Sequence, residues 1–538
     1  MTKFFEFFAK RRPRALINFA LRVFFCLKRA LQFICGASHG KRQEWPPHNR
    51  AFASRGMGCP PKVGRSIIIR AMSPTESNFN GTIILNDTEG LTKDGELSYI
   101  RPRSREALVD ALTILSERKA TPKKIVVIGG FTSFDFPQLH LEEQGTDLSS
   151  SARGLRSPHL VVDCSGMNRI LDVDTLSLTV TVEAGITYWD LANQLRTKGL
   201  AVANLSAYPE VTVGGGSGTG THGSGYGVHG KNLADQFISL EVVNARGEVQ
   251  RIADTRLFTH LGVLGVVTSI TLRCIPMFFL KQTCYEFADL DAFDSLRVGA
   301  FLELAQTEDF YSTMIRIDLV DKKHHPLRCY IRRLAADADD QEFEPSFLGA
   351  DLVENVEGEK PSVFSGPYFD VLCDHTTASL SKVPAPGTYY QAEYFVNNRI
   401  ASKAVHALLH EADKDDCFIK ALPTGLKCRF VCGDDQWMSS TANVDGVGLY
   451  IALQLSLYGS RAEIDAILKR IEDCFEEHDI PFSCHWGKLC SGGHGKINRK
   501  LQDRAKAMNI ARCELDPDNV FLDAESELAK LFGSIPTT

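Results

Sequence analysis

The stretch VTVGGGSGTGTHGSGYG, from Val211 to Gly227, limits what this chain can fold into more than any other segment. Gly214, Gly215, Gly216, Gly218, Gly220, Gly223, Gly225 and Gly227 leave few Cβ atoms to obstruct a close backbone approach. Successive backbone N–H groups in such a run can converge on an anion such as a diphosphate. Thr219, Thr221 and Ser224 add hydroxyl donors, and no long side chain interrupts the run before Tyr226. Gly218, Gly220 and Gly223 match G-x-G-x-x-G, but a Rossmann turn needs a hydrophobic strand before it and a helix after it. Here more glycines precede, and GSGYGVHGKN does not begin a helix. The doubly wound dinucleotide fold is therefore set aside. A merely flexible glycine loop also fits poorly, because the flanking segments carry strong strand patterns.

Those flanks form one α+β unit over residues 90–276. Ser104 to Glu117 reads as a helix with Ser104 as N-cap and an apolar stripe at Ala107, Leu108, Ala111, Leu112 and Leu115. IVVIGG, HLVVDCSGM and SLTVTVEAG read as strands, and TYWDLANQLRTKGL as a helix stopped by Gly199. FISLEVVNARGEVQRI reads as a hairpin turning at Arg246-Gly247, and GVVTSITLRCIP as a further strand. Residues 280–365 carry weaker signals, with DADDQEFEPSF and ENVEGEK reading as acidic surface loop. From Tyr389, the strands YYQAEYFV, LKCRFVCG and GVGLYIALQLSLYG alternate with the helices SKAVHALLHEA and RAEIDAILKRIEDCFEEH. This is the pattern of a second sheet backed by helices. LDPDNVFLDAESELAKLF closes the chain as a turn and a helix.

Length and composition agree with two or three globular domains: 538 residues, 44% hydrophobic and 23% charged. The net charge of -6 conceals an asymmetry, since residues 1–65 hold fourteen Lys or Arg and two acids, Glu6 and Glu44. The rest is acidic, which argues against a nucleic-acid partner. Residues 15–35, ALINFALRVFFCLKRALQFIC, are long enough to span a bilayer but carry Arg22, Lys28 and Arg29. A basic amphipathic helix on a membrane surface, a cleaved mitochondrial presequence and a packed helix of the main fold all fit. A secretory signal fits less well, so a mitochondrial or membrane-associated intracellular location is expected. The fifteen cysteines contain no C-x-x-C pair, so they are expected as reduced, mostly buried thiols, and no metal site is assigned. His406 and His410 share a helical face but have no evident third ligand, so a solvated surface is the better reading.

TVGGGSGTGTHGSGYG followed by HLGVLGVVTSITL resembles the FAD-binding domain of the sugar-1,4-lactone oxidase and alditol oxidase group, within the vanillyl-alcohol-oxidase flavoprotein superfamily. VDTLSLTVTVEAGITYWDLANQLRTKGLAVANLSAYPEVTVGG, QAEYFV, DDQWMS, CHWGK and LDPDNVF resemble further segments of that group, in order, over residues 85–280 and 385–525. The resemblance implies an α+β fold: a two-subdomain PCMH-type FAD-binding domain (85–280), an α+β substrate or cap domain with an antiparallel sheet (281–480), and a C-terminal HWGK segment returning to the flavin (481–538). Residues 1–65 are left as a targeting or membrane-associated segment and linker. The implied reaction oxidises a hydroxyl of a sugar lactone, polyol or related sugar derivative, such as D-arabinono-1,4-lactone, by hydride transfer to FAD. Electrons then pass to oxygen or cytochrome c. A catalytically weak or inactive FAD-binding paralogue is the alternative, and a membrane-associated FAD-dependent reductase of another branch is disfavoured by HWGK and DDQWMS.

The resemblance assigns two flavin loops. One is Gly129, Gly130, Phe131, Thr132, Ser133 and Phe134. The other is Gly214, Gly215, Gly216, Gly218, Thr219, Gly220, Thr221, His222, Gly223, Ser224 and Gly225, with Val266 and Val267 beyond it. The first loop of the group usually reads G-x-G-H-S-F, and its His often carries FAD covalently. Thr132 stands at that position, so FAD is expected to be non-covalent, and Phe131 in place of a glycine is expected to crowd the diphosphate. On these grounds the first loop looks impaired and the second intact. In the substrate domain the group has Glu-x-Arg before D-x-x-W. Here Lys427-Cys428-Arg429 precedes Asp434-Asp435-Gln436-Trp437, which reverses one charge. An ammonium cannot accept a hydrogen bond. Lys427, Arg429 and Lys488 are expected to converge as three cations, favouring an anionic substrate. Lys488 is the candidate for polarising substrate or flavin, and Arg429 for clamping the substrate. His485 is either a polar group of the site or packing under Trp486. His222 is expected to shape the glycine loop.

Overall fold

The computed structural model describes residues 83–84 and 99–533, apart from 118–123, 140–141, 144–152, 155–158, 226–229, 288–291, 295–308, 323, 341, 354–360, 374–387, 444–445 and 447.

 The expected amphipathic segment at 15–35, Tyr226, Gly227 and the acidic ENVEGEK stretch lie outside the described residues.

Three of the sheets formed by the described residues position the site. β1 (Tyr99–Ile100), β2 (Lys124–Ile128) and β3 (His159–Asp163) form a parallel sheet in the order β1-β3-β2. α1 (Arg105–Glu117) begins where expected, with Ser104 Oγ accepting from the Ala107 N–H at 3.2 Å. Its buried Leu108, Ala111 and Leu112 pack with Ile125, Leu160 and Val162. Each such fully buried aliphatic contributes about 1.5–3 kcal/mol.

The second sheet is antiparallel. It contains β4 (Ile170–Asp174), β5 (Thr179–Glu183), β6 (Phe237–Val243), β7 (Val249–Ile252) and β8 (Val266–Arg273), in the order β7-β6-β8-β5-β4. The β6–β7 hairpin turns at Gly247, whose φ of 79° is left-handed. α2 (Tyr188–Arg196) buries Leu191, Ala192 and Leu195 against Val180, Val182, Leu240 and Ile270 of this sheet. Gly199, at φ 69°, follows the end of that helix.

The third sheet has eight antiparallel strands. They are β9 (Phe279–Phe287), β10 (Phe310–Ile317), β11 (Leu327–Ala335), β12 (Phe364–Pro367), β13 (Tyr389–Asn397), β14 (Leu426–Cys432), β15 (Leu449–Tyr458) and β16 (Phe482–Cys484). Their order is β12-β9-β11-β10-β14-β15-β13-β16. Half of it comes from residues 279–367, where the sequence pattern is weakest. α3 (Val213–Gly218) is a short helix ahead of β6, and α4 (Ala401–Lys414) and α5 (Arg461–Glu477) back the third sheet. A capping box between Ser460 and Glu463 starts α5. His406 and His410 are exposed on α4, as expected of a solvated face.

The C-terminal segment runs back to the first sheet. Ile125 N–H donates to Val520 O at 2.8 Å, and Lys124 Nζ donates to Leu522 O at 2.7 Å. Asp523 N–H donates to Gln138 O at 2.9 Å, and Leu528 N–H to Pro137 O at 2.9 Å. Among the described residues the cysteines are unbridged and most are buried, and no helix is long and apolar enough to cross a membrane.

Candidate functional site

A cavity of about 460 Å³ lies where the three sheets meet. One end is lined by Gly129 to Phe134 after β2 and by Gly214, Gly215, Gly216, Gly218, Thr219, Thr221 and His222. The other end is lined by the cap sheet and the HWGK turn. Gly220, Gly223, Ser224, Gly225 and Val266 do not line it, whereas Val267 does. Val266 is fully buried in the core with α1, and Ser224 O accepts from Asn204 Nδ2.

The glycine run differs from the expected open nest. Val213 to Gly218 form a short helix, α3, whose N-cap Thr212 accepts from Gly215 N–H through its side chain. Gly214 N–H donates to Ala184 O, Gly216 N–H to Thr212 O and Thr221 N–H to Gly216 O. These donors are engaged within the protein. Two of the glycines answer a packing need: a Cβ on Gly214 would sit 2.9 Å from the Ala184 Cβ, and one on Gly218 2.9 Å from the His260 ring.

The first loop shows the opposite. Among the described residues no partner is found for the backbone N–H of Gly130, Phe131 or Thr132. Phe131 keeps a φ of 51°, the left-handed conformation that a glycine adopts freely. Its ring packs edge-on against Phe136, with centroids 5.7 Å apart, so part of the expected crowding is absorbed by the core. The first loop thus offers backbone donors where those of the glycine run are engaged. A cavity walled by glycines, threonines and free N–H groups fits a dinucleotide-like anion.

At the cap end, period-two alternation sends Tyr389, Gln391 and Glu393 of β13, Lys427 and Arg429 of β14, and Gln454, Ser456 and Tyr458 of β15 to the cavity. Glu393, Gln454 and Lys427 form one cross-strand row. The three expected cations do line the same end, and a carboxylate stands among them. Glu393, 1% exposed, accepts from Arg429 Nη2 at 2.5 Å and from Lys488 Nζ at 2.6 Å. Glu393, within QAEYFV, is not among the site residues expected from the sequence. A charged residue inside an otherwise apolar strand was the available signal.

Burial works against ionising Glu393, but Lys488 and then Arg429 hold its carboxyl well below the usual carboxylate range. Burial pushes Lys488 down from the usual lysine value. Glu393 opposes that shift, while Arg429 and Lys427 add to it.

His485 Nδ1 accepts from Gly487 N–H at 3.0 Å, so the ring is neutral with its proton on Nε2. Burial first, and Lys488 next, push its pKa well down. Its ring lines the cavity and stacks on Phe395, while the Trp486 ring stacks on His494. The packing role under Trp486 is therefore not what His485 does. His222 Nδ1 lies 2.8 Å from Gly223 O, which shapes the glycine loop as expected. Its Nε2 also lies 3.3 Å from Glu393, out of line for a hydrogen bond.

The DDQWMS turn ties the cap to the glycine domain. Gln436 Oε1 accepts from Thr259 Oγ1 at 2.5 Å, and Trp437 N–H donates to Arg256 O at 2.9 Å. Asp434 holds the turn by accepting from Gln436 N–H, Ser439 Oγ and Thr441 Oγ1. Burial pushes its carboxyl up to about 6.

Residues 97–253 match the FAD binding domain family. L-gulonolactone oxidase of Bos taurus is 34% identical over 205 residues, 37% of this chain and 42% of that protein. Alditol oxidase of Streptomyces is 28% identical over 361 residues, 65% of this chain and 80% of that protein. The chain is thus similar to sugar-lactone and alditol oxidases and dehydrogenases, with an FAD binding domain over residues 97–253. Its cofactor is FAD. L-gulono-1,4-lactone dehydrogenase of Mycobacterium tuberculosis is 24% identical over 482 residues, 84% of this chain and 98% of that protein. The match thus spans under half of the bovine relative and nearly all of the mycobacterial one.

Proposed function

We propose that this flavoprotein oxidises a CH–OH group of a sugar lactone, polyol or related sugar derivative, and that it favours one bearing a carboxylate. The second part rests on the three cations, Lys427, Arg429 and Lys488, that line the cap end of the cavity beside Glu393. The two sheets within residues 99–273 are read as the subdomains of a PCMH-type FAD-binding domain over 85–280. The cap spans 281–480, and 481–538 returns to the flavin.

Gly129 to Phe134 and Gly214 to His222 would hold the FAD, with free N–H groups of the first loop on its diphosphate. FAD supplies the hydride acceptor for the carbon being oxidised. The chain's own residues position and polarise. Lys488, fixed by Glu393, stabilises the oxygen as its proton leaves, and Arg429 restrains the same substrate. Gln391, Gln454 and Ser456 offer hydrogen bonds to further hydroxyls. Lys427 takes the carboxylate. With Thr132 in the first loop the FAD is non-covalent. Oxygen or cytochrome c takes the electrons, and a mitochondrial or membrane-associated place is read from residues 1–65.

Acid precipitation checks the attachment: the flavin should stay in the supernatant. Anaerobic bleaching of the flavin then checks the reaction, with aldonates expected to bleach faster than the matching lactones. Bleaching by neither, with flavin fully bound, would favour the inactive FAD-binding paralogue, to which the Lys427 charge reversal also lends support.

A further inference from the structure

Three ligand atoms meet beside the HWGK turn without lining the cavity. Cys484 Sγ, Cys490 Sγ and a ring nitrogen of His494 lie within 4.8 Å of one another. Cys484 Sγ is 3.2 Å from His494 Nδ1. Cys484 and His494 are buried and Cys490 is partly exposed. Two thiolates and an imidazole around a tetrahedral zinc ion stand about 3.5–3.8 Å apart, from bond lengths of about 2.3 and 2.0 Å. Small rotations of these side chains reach that arrangement.

The surroundings resemble those of a metal centre. Asn498 Nδ2 donates to Cys484 Sγ at 3.7 Å. His494 Nε2, on a ring 1% exposed, has no hydrogen-bond partner among the described residues and lies 3.7 Å from Asp135 Oδ2. A metal on Nδ1 would fix the ring proton on Nε2, facing that carboxylate. The loop between the two cysteines and the histidine is already held, because Glu472 accepts from Ser491 N–H at 2.7 Å and Gly492 N–H at 2.5 Å.

We propose that Cys484, Cys490 and His494 bind zinc(II). Binding releases the two thiol protons and leaves a dithiolate–imidazole site, with water entering beside Cys490 as the fourth ligand. The ion clips β16 to the loop after the HWGK turn and, through His494 and Asp135, to the first flavin loop. The spacing of the three ligands is C-x5-C-x3-H, which differs from the C-x-x-C pairs of zinc ribbons.

The full chain, purified without chelators, should carry about one zinc per polypeptide, with two sulfur neighbours at about 2.3 Å by X-ray absorption. Cys490→Ser, at the partly exposed ligand, should lower the zinc content at least tenfold. Should that variant fail to fold, the absorption spectrum of the unaltered protein decides. Protein that takes up no zinc on dialysis against micromolar metal overturns the proposal. So does zinc bound without sulfur, or a Cys484–Cys490 disulfide in the peptide map. Flavin content measured on the same sample keeps this outcome separate from that of the oxidation reading.

Discussion

Glu393→Gln is the perturbation with the largest calculable effect. The side chain keeps its shape and loses its charge, so Arg429 and Lys488 are left buried without their counter-ion. The two contacts, at 2.5 and 2.6 Å, are charge-assisted, and such bonds contribute about 1.5–3 kcal/mol each. Breaking a buried pair of this kind costs about 3–5 kcal/mol. Against a total stability of about 5–15 kcal/mol that is a large fraction. Because the folded pKa of Glu393 is depressed, the deficit should be complete above the unfolded carboxylate pKa and fade as pH falls through the folded value. Lys488 would also lose the partner that opposes its downward shift, so the alkaline limb of the pH–rate profile should move to lower pH. Adding Lys427→Met should move that limb part of the way back, since Lys427 repels Lys488. Urea unfolding and steady-state kinetics read both effects. A stability change below about 1 kcal/mol with an unmoved limb would refute the pairing argument.

Lys427→Glu should lower kcat/KM for a carboxylate-bearing substrate by about 10–100-fold, one charge-assisted bond, and raise that for the neutral lactone; an unchanged ratio counts against the anionic reading. Phe131→Gly should be more stable than Phe131→Ala by about 1 kcal/mol, the reverse of the usual order, because φ is 51° there. Equal stability by urea titration would remove the strain argument. Asp434 has a folded pKa raised from 3.8 to about 6, so its contribution is present at low pH and lost as pH rises through 6. The stability lead of the parent over Asp434→Asn should therefore be about 2 kcal/mol larger at pH 4 than at pH 7, and a pH-independent gap would show that Asp434 is already ionised at little cost.

Much of the architecture is legible in the sequence because one face of each element is buried. The stripe of α1, the Arg246-Gly247 turn and the strands around the glycine run all follow from periodicity and turn chemistry. The strands at 279–367 were not legible, since their alternation is diluted by Arg and Lys that pair across the sheet, as Arg333 does with Asp309. The glycine run was read as a loop because glycine disfavours helix, yet Thr212 caps it and tight packing against Ala184 and His260 requires it. The convergence of Glu393 with Lys488, ninety-five positions apart, is a property of the sheet order and had no local signal.

The return of the C-terminal segment to β2 bears on how the protein is made. The strand at Lys124–Ile128 and the loop after it lean on Val520, Leu522 and the turn at Gly487, whose carbonyl accepts from Phe134 N–H at 2.8 Å. A ribosome finishes the first flavin loop long before it makes those partners. The N-terminal sheet must therefore wait, incomplete, through the synthesis of some four hundred residues. If Gly129 to Phe134 hold the flavin as proposed, cofactor loading would follow chain release, and a chain stopped near residue 515 would lack the Val520 and Leu522 partners of that strand.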